Sequence, residues 1–403
     1  MDETEVPQFF ICPISLQIMR DPVTAITGIT YDRESMEHWL FQANNTTCPV
    51  TQQPLPRDSY LTPNHTLRRL IQAWCSTKGL DRIPTPKPPL NKLNVLSLIR
   101  GIQVQEFRVK SLRKLEVLAF EHERNRICMA EAGVIQAIAG FVVACYRSGE
   151  TMGLEEALST LYLLRTESME TKLLLDENND QMIDSLIWVL GLEINNHLTV
   201  KSHAISVLKK IIGKANSEVL GRLKPEFFQK IVRALREGIS QEGVNAALHI
   251  MLEACPWGRN RLIMVENEAI FELIELELGS PENRTSELIL GILFHLCYSA
   301  DGRAQLLSHA AAVAVITKRL LNVSPTANDR AVLILSLICK FSGTPMVLEE
   351  MVRVGAVAKL CMVLQLNCDS YLKDKALEIL RAHSQVWKAS PCMEITTLSN
   401  YPG

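Results

Sequence analysis

Residues 9–75 read FFICPISLQIMRDPVTAITGITYDRESMEHWLFQANNTTCPVTQQPLPRDSYLTPNHTLRRLIQAWC, and this block decides how the rest of the chain is understood. Cys12-Pro13-Ile14-Ser15 starts as a loop, because Pro13 restricts its predecessor to an extended backbone. After Asp21-Pro22 ends the next turn, Val23 to Ile26 reads as a short strand. Gly28 supplies a turn position free of Cβ sterics, and Ile29-Thr30-Tyr31 follows as the partner strand of a hairpin. Asp32 is placed to cap a helix carrying Met36, Trp39 and Leu40 at helical spacing. Cys48-Pro49-Val50-Thr51 forms a second proline-bearing loop and Leu61-Thr62-Pro63-Asn64 a third. Asn64 then caps a helix with Leu67, Leu70, Ile71 and Trp74 on one face.

Cys12, His38, Cys48, His65 and Cys75 are the candidate metal ligands of the block. They include no closely spaced pair, and structural zinc sites draw their ligands in such pairs, so the block is expected to fold without metal. Cys12 has no histidine beside it in sequence to activate a nucleophile. Cys12 and Cys48 therefore read as packing residues, and Asp32, Arg33 and Asn64 as polar groups that hold the fold.

Beyond the block, the chain of 403 residues has room for a second, larger domain. A net charge of −2 gives no electrostatic footprint for nucleic acid or an anionic membrane. The first five residues, MDETE, are acidic where a secretory signal is basic and then apolar. The longest apolar run, around Val134 to Tyr146, is short of the roughly 20 residues that span a bilayer. The C-terminus carries no lipidation box. Eleven scattered cysteines without a C-x-x-C argue for reduced thiols, hence a cytoplasmic location with the nucleus open as well. Three of them, Cys255, Cys297 and Cys339, recur at steps of about 42 residues, a repeat signal at a buried helix position.

Residues 80–92 are a proline-rich bridge of polyproline II character between the block and the larger C-terminal region. From about Lys92 the chain is nearly all amphipathic helix. Apolar segments anchored at Gly133, Asp180, Pro225, Glu268, Ala311 and Gly355 recur every 43–47 residues or so, the period of armadillo and HEAT arrays. Second segments lie between them, at 154–164, 201–212, 244–255, 286–297 and 330–341. Trp257-Gly258-Arg259-Asn260-Arg261 and Asp301-Gly302-Arg303 fit turns between repeats, with their arginines expected to cap helix C-termini and binding of acidic targets as the alternative.

The first block resembles the U-box, a RING-like domain that lacks zinc ligands. The matching residues are Cys12-Pro13-Ile14-Ser15, Met19, Asp21-Pro22-Val23, Gly28, Thr30-Tyr31-Asp32-Arg33, Trp39, Cys48-Pro49, Thr51, Leu55, Leu61, Pro63-Asn64 and Leu67-Arg68. Together with the repeats, nearly the whole chain is similar to plant U-box proteins with C-terminal armadillo repeats. The resemblance implies a mainly α chain: a small zinc-free α/β U-box at residues 5–79, an armadillo solenoid at 93–388 and a tail at 389–403. It implies a RING-type E3 ubiquitin ligase without a covalent ubiquitin intermediate, needing no cofactor. Its partners are then a ubiquitin-conjugating E2, ubiquitin and a protein substrate held by the repeats, in a family associated with plant stress and immune signalling.

By position, the resemblance places E2 contacts at Ile14, Leu16, Trp39, Pro49 and Val50. The side chains of Ile14 and Trp39 are expected to stand outside the domain's own core. The family often carries Arg or Lys just after the second loop, where it holds the E2–ubiquitin conjugate in its reactive arrangement; this chain has Gln52, so an armadillo scaffold with a weakly active U-box stays open. Armadillo import receptors carry an asparagine ladder on each repeat's third helix. The corresponding residues here are Leu163, Lys210, Glu253, His295 and Leu337, which disfavours an import receptor and leaves Lys210, Glu253 and His295 as candidate groove residues.

Overall fold

The computed structural model describes residues 6–42, 45–56, 59–77, 90–164, 179–193 and 196–388. Contacts divide the chain into two units, Met1–Val134 and Ile135–Gly403. In the first, β1 (Pro22–Thr24) and β2 (Thr30–Asp32) pair antiparallel with Val23 opposite Tyr31. Gly28, at φ 80, closes the hairpin by donating to the Ala25 carbonyl at 2.9 Å. The chain turns at Ala25, so Ile26 falls outside the expected strand and is 64% exposed.

Two elements differ from the sequence expectation. Thr62–Pro63, read as loop, is a third strand, β3, lying against β1 in the order β2-β1-β3. Proline is tolerated there because an edge strand leaves one side of its backbone unpaired. Asp32 precedes α1 (Arg33–Glu37) in extended backbone but does not cap it. Its carboxylate accepts the Arg20 and Asp21 amides at 2.7 and 2.8 Å, tying the preceding turn to β2. Burial pushes the Asp32 carboxyl above its usual range, against those two bonds. Arg33 completes the brace by donating to Asp21 at 2.6 Å.

α1 runs on as a wider turn, His38–Gln42, with Met36 and Leu40 buried and Trp39 half-buried. Asn64 does cap α2 (His65–Thr77), accepting the Leu67 amide at 3.0 Å. Ile71 is buried and Leu67 and Trp74 pack on the core, whereas Leu70 turns out to solvent. Of the expected linker, residues 80–92, residues 80–89 lie outside the described residues, and Lys92 already opens the next helix. Asn91 caps α3 (Lys92–Gln103), which α4 (Arg108–Glu121) and α5 (Glu123–Glu131) follow. A Cβ at Gly101 would stand 2.2 Å from Ser111 Oγ, so glycine is what lets α3 and α4 cross this closely.

Among its described residues, the second unit is built of helices joined by turns. It runs α6 (Val134–Ser148) and α7 (Leu154–Leu163), then α8 (Asn179–Leu190) and α9 (His197–Ile212). Triplets follow: α10 (Ser217–Gly221), α11 (Pro225–Arg236), α12 (Gln241–Ala254); then α13 (Gly258–Glu266), α14 (Ala269–Leu278), α15 (Asn283–Leu296). The last are α16 (Ala300–Ser308), α17 (Ala312–Arg319), α18 (Pro325–Ser342), and α19 (Pro345–Arg353), α20 (Ala356–Gln365), α21 (Ser370–Ala382), with α22 (Ser384–Lys388) behind. From α11 on, each anchored apolar segment is the middle helix of a described triplet, those at α6 and α8 precede α7 and α9, and every second segment lies on the helix that follows its anchored one. Successive third helices pack on one another from α7 through α9, α12, α15 and α18 to α21, and the middle helices α8, α11, α14 and α17 form a layer of their own.

Cys255 and Cys297 are fully buried where α12 and α15 end, and Cys339 sits at the matching place on α18. Burial pushes all three thiols up to about 12, as inert packing groups. The segments at 257–261 and 301–303 are not turns but the starts of α13 and α16. Their arginines nevertheless cap: Arg261 donates to the Cys255 carbonyl at 2.7 Å and Arg303 to that of Cys297 at 2.9 Å. Arg259 reaches the Leu223 carbonyl at 2.9 Å. Among the described residues no single helix is long and apolar enough to cross a membrane.

Candidate functional site

Residues 12–16 and 48–52 form one loop made twice. The Cys12 amide donates to Gln17 at 2.8 Å and the Leu16 amide to Cys12 at 2.9 Å; in the second loop Cys48 donates to Gln53 at 2.8 Å and Gln52 to Cys48 at 3.0 Å. Bridges close both at the base, Ile11 with Ile18 and Thr47 with Pro54. Each loop ends in a left-handed residue, Leu16 at φ 56 and Gln52 at φ 58. In sequence the signal for this was the repetition of Cys-Pro, an aliphatic residue and a hydroxyl residue in both loops.

β2 fastens the two loops to a single frame. The Asp32 amide donates to Cys12 Sγ at 3.2 Å, and the neighbouring Tyr31 hydroxyl lies 3.0 Å from Cys48 Sγ. Thr27 Oγ1 also donates to Cys48 Sγ, at 3.3 Å. Burial pushes the Cys48 thiol up, but hydrogen bonds from Thr27, Thr51 and Tyr31 outweigh it and bring it down to about 6. Burial and the facing sulfur push the Tyr31 hydroxyl up. Both sulfurs are enclosed, so neither is presented to a substrate carbonyl. Among the described residues no three His, Cys, Asp or Glu side chains gather as a metal site would require.

The sequence-predicted contact residues differ in how they are displayed. Leu16 is 76% exposed and Val50 is 52% exposed, with Pro49 half-buried beside it. Ile14 and Trp39, expected to stand clear of the core, instead pack against it and keep only an outer face in solvent. Trp39 Nε1 donates to the Thr47 carbonyl at 2.8 Å, so this ring braces the second loop as well as bordering it. Gln52 is exposed, and its amide turns back on the Pro49 carbonyl at 3.3 Å. Phe9, 62% exposed, is an apolar side chain that the sequence reading passed over. It rests edge-on against Phe10, with ring centroids 4.7 Å apart.

Lys210, Glu253 and His295 lie on α9, α12 and α15, three consecutive third helices, near their C-terminal ends. Glu253 is exposed and the other two are half-buried. Burial pushes the His295 imidazole down, and Arg330 and Arg261 push it the same way. Leu163 and Leu337, at the same register on α7 and α18, are half-buried.

A family described as the plant U-box protein ARM repeat region matches residues 94–402, and the U-box domain matches residues 6–79. E3 ubiquitin-protein ligase PUB24 of Arabidopsis thaliana is 43% identical, with 99% of this chain and 96% of that protein covered. E3 ubiquitin-protein ligase PUB23 of the same plant is 43% identical, with 100% and 98% covered. Among solved structures, an engineered protein from a structural genomics consortium shares the fold at a TM-score of 0.52 and 17% identity, over 77% of this chain and 72% of that one.

Proposed function

Because this chain belongs to the plant U-box proteins with an armadillo repeat region, and is an E3 ubiquitin-protein ligase, we propose that Leu16 and Val50, with Ile14, Pro49 and Trp39, form the surface on which its U-box receives a ubiquitin-loaded E2. The observation that carries the assignment is the display of Leu16 and Val50 on two matched, hydrogen-bonded loops. Large apolar side chains held out on rigid loops gain by docking, each contributing about 1.5–3 kcal/mol if fully covered. A patch of two loops and one helix edge is small, so the contact buries less than about 1,200 Å² and exchanges quickly. Fast exchange suits a carrier that must leave to be recharged.

The ligase acts by placement. The substrate lysine amine attacks the E2–ubiquitin thioester, the carbon–sulfur bond breaks, and the isopeptide bond forms with the E2 thiol leaving. The U-box contributes proximity and orientation. The third-helix face bearing Lys210, Glu253 and His295 holds the protein substrate. The ten described cysteines are thiols, and a cytoplasmic site of action, which a fluorescent fusion would check, suits thiols. A second reading, a scaffold whose U-box transfers ubiquitin weakly, draws on Gln52, whose amide is folded back on its own loop.

Reconstitution with E1, a panel of E2s, ubiquitin and ATP tests the assignment. Self-ubiquitination is expected with at least one E2 and is expected to fall sharply when Leu16 and Val50 are both changed to Ala. Chain formation by no E2 would leave the scaffold reading standing; full activity in the double variant would move the E2 surface elsewhere.

A further inference from the structure

We infer that the third-helix face across α9, α12, α15 and α18 takes a substrate segment in which acidic side chains flank a large apolar one. This rests on the reading of that face as the substrate holder and names the class of segment it holds. His249 on α12 and His295 on α15 sit half-buried on neighbouring helices of the face. Among the described residues, the charged side chains acting on them are cations: Lys209 and Arg284 on His249, Arg330 and Arg261 on His295. Burial and these cations hold both imidazoles below their ordinary range, so at neutral pH they add donors and acceptors but no charge.

The cations come from four different helices and are set in place by separate means. Arg261 is anchored on the Cys255 and Pro256 carbonyls at 2.7 and 3.1 Å. Arg330 lies over the Phe294 ring at 4.9 Å, with Asp329 3.7 Å away. Arg284 is exposed on the first turn of α15. The two histidine-bearing helices, α12 and α15, also carry the carboxylates Glu253 and Glu287, neither of which is among the described groups acting on the two imidazoles. The centre of the face is therefore a local positive region, in a chain whose overall charge is slightly negative. A basic segment would meet repulsion there, and an acidic one complementarity.

Apolar side chains lie beside Arg330 and continue along α18. Phe294 meets Tyr298 at 5.1 Å, and Tyr298 is 56% exposed. Leu333 and Leu337, one turn apart on α18, are half-buried. Phe341, 57% exposed, carries Arg303 and Lys340 over its ring at 4.8 and 5.3 Å. A polyanion with no apolar group would leave these side chains uncovered.

Fluorescence anisotropy on the full-length protein, with labelled short peptides carrying one Phe among several Glu, tests the inference. Versions with Gln or Lys replacing every Glu, and a single-stranded oligonucleotide of equal charge, serve as competitors. The acidic peptide is expected to bind about tenfold tighter than its Gln version and to weaken as salt is raised. Arg284→Glu, Arg330→Gln and Leu337→Asp are each expected to weaken it about fivefold, with the melting temperature checked for each. Tighter binding of the Lys peptide, or equal binding of the oligonucleotide, overturns the acidic–apolar class but leaves the face as a binding surface. Binding of no probe overturns both the class and the placing of the substrate on this face.

Discussion

Leu16 and Gln52 occupy the same place in two copies of one loop: each lies four residues beyond a buried cysteine, donates its amide to that cysteine's carbonyl, and holds φ within two degrees of the other (56 and 58). Left-handed backbone costs a residue with a Cβ about 1–2 kcal/mol, and neither position is glycine. The U-box thus holds two side chains at equivalent exits from its loops, one apolar and one a neutral amide. The first suits E2 docking, while the second stands where the family often carries a guanidinium or an ammonium.

Gln52→Arg is therefore expected to speed ubiquitin transfer without tightening E2 binding. A charged, forked donor makes bonds about twice as strong as an amide's, which would raise single-turnover discharge of E2–ubiquitin onto free lysine by about three- to tenfold. Gln52 is exposed and its side chain's one described bond, to the Pro49 carbonyl, is 3.3 Å long, while its backbone bond to Cys48 survives the substitution, so melting should not move. An unchanged discharge rate would show that Gln52 does not limit transfer.

Leu16→Ala and Trp39→Ala should both lose E2 binding, but for separable reasons. Leu16 is largely in solvent, so its loss is expected to weaken the E2 by about 1–2 kcal/mol and leave the melting temperature alone. Trp39 packs on the core and donates to Thr47, so truncating it should also destabilise the domain by about 3 kcal/mol. Parallel titration calorimetry and thermal melts check the pair. Equal melting shifts in the two variants would contradict the division of roles.

Arg303→Ala should destabilise the array by about 1–3 kcal/mol, because it strips the Cys297 and Tyr298 carbonyls of a buried guanidinium partner at 2.9 and 3.2 Å. Chemical denaturation of the full chain, followed by helical circular dichroism, would register this as an earlier array transition. A midpoint equal to that of the parent protein would mean that water replaces the cap at no cost.

How much the sequence made legible depends on how local each signal is. Helical periodicity located the middle and third helices, and the repeat cysteines marked a buried place on α12, α15 and α18, because a solenoid's contacts lie within and between adjacent repeats. Asn64 was readable as a cap because its partner, Leu67, is three residues away. Asp32 does hold the fold as its residue type suggests, but not as a helix cap: its partners, Arg20 and Asp21, lie more than ten residues back, beyond any capping pattern. The edge strand at Thr62–Pro63 was missed since only its pairing with Val23 and Thr24 makes it a strand. At the site, Leu16 and Val50 are exposed on the two loops, and the apolar residues those loops carry were legible in the sequence. Which of them the domain claims for its own core was not: Ile14 and Trp39 are decided by packing, Leu16 by a backbone angle.

The N-terminal domain should become more stable as pH rises from about 6 towards about 9, through Cys48. Its thiol titrates at about 6 in the folded domain, against an ordinary value of 9.0. A depressed folded value means that the unfolded chain binds the extra proton between those limits, so the contribution is complete above pH 9 and is lost as pH falls through 6. Half-buried Asp32 and buried Glu37 have raised values, so their contributions run the other way, declining as pH rises through the carboxyl range. Cys48→Ser removes the thiol's titration and keeps an acceptor for Tyr31 and Thr27. Hydrogen exchange of the 46–55 backbone in the full-length protein should slow across this pH window, after correction for intrinsic rates, and the Ser variant should lose that extra protection. The same protection in both would mean that Cys48 stays protonated and that the three donors gather around a neutral thiol.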